Sequence, residues 1–79
     1  MSADAEMTIG GRMFTVGAVY SGRPRVYGRN PRRLLRYIPG GLLPGGRVEV
    51  AIMPTSRLQV MAGAVWTARA GKPIEDAGR

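Results

Sequence analysis

The chain has 79 residues, no cysteine, no histidine and a formal net charge of +7. That length makes one domain with one small core, burying about 60–65% of the surface exposed by the unfolded chain. Without thiols or imidazoles there are no disulfides, no thiolate or imidazole metal sites, no cysteine nucleophile and no histidine base, so stability must come from apolar packing or oligomerisation.

Residues 1–6, Met-Ser-Ala-Asp-Ala-Glu, are acidic and lack the basic, apolar and small-residue order of a secretion signal. They are expected as a flexible N-terminus ahead of a single domain over residues 7–70. Met7-Thr8-Ile9 and Arg12–Val16 flank Gly10-Gly11, a pair suited to the left-handed angles of a two-residue hairpin loop; in the alternative reading Met7–Gly11 is merely the lead into the first strand. Val16-Gly17-Ala18-Val19-Tyr20 is apolar around a central glycine, which predicts a bend or bulge in or between strands. Residues 21–31, rich in Gly, Pro, Ser and Asn, read as a loop.

Asn30–Gly41 admits two readings. Asn30 as N-cap, Pro31 at the first helical position and Pro39-Gly40-Gly41 as a stop describe a short helix. Against it, Arg32 and Arg33 sit where the helix dipole disfavours cations, and so short a helix is marginal. The strand reading, Arg32–Ile38, places Leu34 and Ile38 on one side and Leu35 and Tyr37 on the other. It is preferred, because the neighbouring segments are strands that need a sheet.

Two cleaner strands follow the Gly-rich loop Pro39–Gly46. In Arg47–Met53, Val48, Val50 and Ile52 alternate with Arg47 and Glu49; in Arg57–Ala62, Leu58 and Val60 alternate with Arg57 and Gln59. Pro54-Thr55-Ser56 joins them as an antiparallel hairpin. Ala62–Ala70, around Trp66, reads as one turn of helix or a closing strand, and residues 71–79 as a loose tail. The expected core is Phe14, Val19, Val48, Val50, Ile52, Leu58, Val60 and Trp66. About five short strands with turns between them predict an all-β fold, a small barrel.

Phe14–Tyr20, Pro31–Tyr37, Gly46–Val50 and the single late Trp66 together resemble small SH3-like β-barrels of uncharacterised bacterial and bacteriophage proteins, over about residues 12–68. The resemblance implies a binding module, since such barrels serve nucleic-acid binding, ribosome association and protein recognition. It implies a setting in the cytoplasm of a bacterial cell or phage-infected host. The acidic loop and clustered aromatics of proline-peptide-binding SH3 domains are missing here.

Catalytic chemistry has little to work with. Ser2, Ser21 and Ser56 have no histidine to activate them, and Lys72 is the only lysine. Pro39–Gly46 is glycine-rich but lacks the lysine and Ser/Thr of a phosphate loop. No enzyme, cofactor, metal or small-molecule substrate is expected, and no membrane partner, the apolar runs being far shorter than a span. Charge is the informative feature. Residues 12–72 hold ten arginines and Lys72 against the single acid Glu49, with Arg23, Arg25, Arg29, Arg32, Arg33 and Arg36 crowded into 23–36. Guanidinium groups neutralise phosphates and phenol rings stack on unpaired bases. These arginines, with Tyr27 and Tyr37, therefore form the candidate site for nucleic acid, DNA or RNA. Strand tyrosines more often pack their rings, and arginine bias also follows G+C-rich coding. An acidic protein partner or self-assembly into a homo-oligomer is the alternative, reached through an exposed barrel edge and adaptable methionines at 13, 53 and 61.

Overall fold

The computed structural model describes residues 6–22 and 31–75 of the chain. In order these form β1 (Glu6–Ile9), β2 (Arg12–Thr15), β3 (Val19–Gly22), β4 (Arg32–Ile38), β5 (Arg47–Ile52), β6 (Arg57–Ala62), helix α1 (Gly63–Arg69) and β7 (Ala70–Glu75). The fold is all-β apart from that one short helix. The hairpin β1–β2 stands as its own two-stranded sheet, and the other five strands pair in the order β6-β5-β4-β3-β7, antiparallel throughout. No helix among the described residues is long and apolar enough to cross a membrane.

Local chemistry accounts for most of these elements. Gly10 and Gly11 form the two-residue loop with φ of 60° and 83°, angles that the paired strands' twist requires and side chains resist. Gly17 turns the chain between β2 and β3, as the glycine in Val16–Tyr20 suggested. Arg32–Ile38 is a strand and not a helix, paired along its length with β5. The β5–β6 hairpin turns at Pro54-Thr55-Ser56, as expected.

Three expectations change. The strands number seven among the described residues, because the Gly-Gly hairpin is formed and an additional strand follows the helix. That strand, β7, takes up Gly71–Glu75, which the sequence reads as loose tail; hydrogen bonding to β3 orders a segment whose own propensity is poor. Glu6, assigned to the flexible N-terminus, already belongs to β1.

The core centres on three aromatic rings, Phe14, Tyr20 and Trp66, with centroids 5.2–5.6 Å apart and edge-to-face tilts. Ile9, Leu34, Val48 and Val50 close around them, each inaccessible to solvent. The hairpin, the main sheet and the helix thus share one core. Of the expected core residues, Phe14, Val19, Val48, Val50 and Trp66 are buried and Ile52 is half-buried. Leu58 and Val60 are not: they are 75% and 47% exposed. The alternation in β6 is present, but its inward side is Gln59 and Met61, opposite Val50 and Val48.

A bulge explains β4. The pairing slips between Leu34↔Val50 and Arg36↔Glu49, leaving Leu35 as the extra residue. Strict alternation would put Tyr37 with Leu35 and Ile38 with Leu34. After the slip Leu34 and Tyr37 point inward, while Leu35, Arg36 and Ile38 are exposed.

Arg12 ties the hairpin to the far end of the chain. Its Nη1 donates to the carbonyls of Thr67 at 2.7 Å and Ala70 at 3.0 Å, its Nη2 to that of Gly71 at 3.5 Å, and its guanidinium lies 4.9 Å from the Phe14 ring centre. A cation over the last carbonyls of a helix suits both their lone pairs and the helix dipole. At the other end of α1, where no side chain caps the helix, the amides of Gly63 and Ala64 donate to the carbonyls of Gly46 and Pro44. Gly63 packs against Gly45 so closely that a β-carbon there would strike the Gly45 carbonyl.

Candidate functional site

The residues expected to bind nucleic acid divide into two groups. Arg23, Arg25, Tyr27 and Arg29 lie outside the described residues. Arg32, Arg33, Arg36 and Tyr37 all stand on β4, and most are engaged by the fold. Arg32 donates from Nε to Oε1 of Gln59 at 2.8 Å. Arg33 donates through Nη1 to the Gly17 carbonyl at 2.5 Å and pairs through Nη2 with Glu75 at 3.3 Å, joining the β2–β3 turn to β7. Tyr37 is half-buried against the core, and its hydroxyl donates to the Gly45 carbonyl at 2.9 Å. Tyr20 is buried; its oxygen accepts from the Thr15 amide at 2.8 Å. Arg36 alone of the four is exposed. It stands opposite Glu49 in the ladder, yet Glu49 bonds instead to Arg47 Nε at 3.0 Å.

The strand pairing brings together a different set of side chains. Leu35, Leu58 and Val60, with Arg47, Glu49 and Gln59, line a hollow of about 210 Å³ on the sheet. Leu35 is there because it follows the inward Leu34, and Leu58 and Val60 because the inner face of β6 is Gln59 and Met61. A neighbouring hollow of about 450 Å³ lies under the Gly-rich loop, between Ile38, Leu42, Leu43 and Arg47. Leu42 stands fully exposed at the loop tip. Arg47 lines both hollows, so they flank one cation. Of the three methionines read as adaptable contacts, Met13 is 64% exposed and Met53 and Met61 are half-buried, Met61 packing on the core.

The surroundings are basic. By the register Arg33, Arg36 and Arg47 share the outer side with Leu58, Val60 and the single acid Glu49, while Arg32 and Arg57 fall on the side of Gln59. Such a face attracts carboxylates to its rim and apolar groups to its middle. The signal for it was partly in the sequence, since Leu58 and Val60 alternate with polar residues. Periodicity names the two sides of a strand and not which side is buried. Among the described residues no group of three or more acids is placed to hold a metal ion. No family model, curated protein or solved structure matches the chain.

Proposed function

We propose that the protein is a small basic binding module that docks an acidic protein on the outer face of β4, β5 and β6. One observation carries this reading: Leu35, Leu58 and Val60 are exposed around one hollow on the side of the sheet that also carries Arg33, Arg36 and Arg47 with the single acid Glu49. Exposed apolar side chains grouped within a polar rim mark interaction surfaces, whereas scattered ones do not. Arginine is the cation best suited to the rim, because its fork meets carboxylates in two parallel hydrogen bonds. The test is a comparison of two immobilised proteins, both treated with nuclease. The native chain is expected to retain an acidic protein from a bacterial lysate, and the Leu58→Asp, Val60→Asp double variant to lose it with an unchanged circular dichroism spectrum. Equal retention by both overturns the reading.

Nucleic-acid binding through residues 23–36 is the second reading. It is favoured by the net charge of +7 and by the exposed side chain of Arg36. If about six arginines contact duplex phosphates, log K falls with log salt at a slope near −5. Fluorescence anisotropy with duplex DNA, single-stranded DNA and RNA at several salt concentrations measures that slope, and absence of binding at low salt ends this reading. The sheet order, a meander closed by a last strand that returns to the first after a short helix, supports the resemblance to SH3-like barrels. The β1–β2 hairpin is then an addition in front of them.

A further inference from the structure

We infer that the acidic partner binds as an extended segment that adds a strand to the free edge of β6. This rests on the docking reading above and specifies how the partner is held.

The two edges of the five-stranded sheet differ in how they are protected. β7 carries Lys72 and Pro73 and pairs irregularly with β3, with shifts in register on both sides of Tyr20. Proline, lysine and irregular pairing are the usual devices that stop an edge from recruiting another strand. β6 has none of them. It pairs with β5 without a register shift from Arg57↔Ile52 to Ala62↔Arg47 and contains no proline, and no described strand pairs with its other side. Its outer backbone is therefore a regular alternation of donors and acceptors six residues long.

The side chains beside that edge say what kind of strand fits. Leu58 and Val60 lie on the outer face next to it, so apolar side chains at alternate positions of an added strand fall against them. Arg57, the only charged residue in β6, is exposed and alternates with Leu58 and Val60, so it stands beside the edge on the side of Gln59. Acidic residues at the intervening positions of an added strand fall on that side, next to its guanidinium. Charge also selects against a second copy of this chain, because two molecules of +7 repel one another. The occupant is an acidic segment with alternating β-branched residues, held by main-chain hydrogen bonds and chosen by charge.

The test uses a capped peptide in which Glu or Asp alternates with Val or Ile, and two isomers of it, N-methylated on the odd or on the even residues. In an added strand only alternate N–H groups face the protein. The parent peptide is expected to bind the full chain at low salt. One isomer is expected to bind within about twofold of the parent and the other at least about tenfold more weakly, the loss expected from several broken main-chain bonds. Leu58→Asp and, independently, Val60→Lys each weaken the parent peptide, while the native Trp66 emission shows that the variants are folded. Equal binding of both isomers, with the side-chain variants still impaired, overturns strand addition and leaves the docking face standing. Failure of all three peptides overturns the inference. If the protein without peptide also sediments as a dimer that Val60→Lys dissolves, β6 is covered by a second copy instead. If it binds single-stranded or duplex DNA instead, the docking reading falls as well.

Discussion

Arg12 and Arg57 are chemically identical, and the fold uses them in opposite ways. Arg12 reaches three carbonyls at the end of α1 and the start of β7, whereas Arg57 stands in solvent at the start of β6. Removing Arg12 leaves several partly buried carbonyls without a donor, so Arg12→Ala is expected to cost about 2–3 kcal/mol in urea unfolding. Arg12→Lys should recover only part of it, since an ammonium group lacks the fork that spans separate acceptors. Arg57→Ala should stay within about 0.5 kcal/mol of the native chain. Leucines show the same contrast. Leu34 is inaccessible and Leu58 is 75% exposed, so Leu34→Ala should cost about 2–5 kcal/mol and Leu58→Ala less than about 0.5. Neither contrast is visible in the sequence. The partners of Arg12 lie 55 or more residues along the chain, and no local pattern encodes them.

At the scale of elements, strands with a strong local signal are where the sequence places them. β5 and β6 alternate, Gly10-Gly11 makes its hairpin, and the segment from Arg32 is a strand because it lies between two others. What local pattern misses is tertiary. The β4 bulge re-aims Arg36, Tyr37 and Ile38 without any glycine or proline to announce it, turning Tyr37 to the core and Ile38 to the surface. β7 is a strand because β3 has an edge to offer, in a segment whose Gly71 and Pro73 argue against it. Its contribution is measurable. A chain ending at Ala70 loses the pairing of Val19 and Tyr20 with β7, the Gly71 carbonyl that receives Arg12, and the Arg33–Glu75 ion pair. It is expected to be less stable by more than about 2 kcal/mol, read as a lower denaturation midpoint, where a true tail would make no difference. The candidate site was thus half legible. Its charge could be read from composition, but its apolar centre depended on which faces of β4 and β6 turn inward.

For the whole molecule, charge sets the conditions under which everything else is measured. A chain of 79 residues with a net charge of +7 repels itself, and added salt shortens the reach of that repulsion from about 30 Å at 10 mM to about 8 Å at 150 mM. Stability is therefore expected to rise with sodium chloride over that range, by about 0.5 kcal/mol or a midpoint increase of about 2–4 °C in thermal unfolding. Binding of any polyanion should weaken over the same range, so the two salt responses have opposite signs and separate folding from association. The aromatic triangle adds an optical consequence. Trp66 is the sole tryptophan, and Phe14 from the hairpin and Tyr20 from the sheet both pack on it. Its emission therefore reports whether three separate parts of the chain have come together. A partner on the outer face of β6 should leave that emission unchanged, whereas any loosening of the hairpin should shift it to the red. The molecule carries its own internal reference dye.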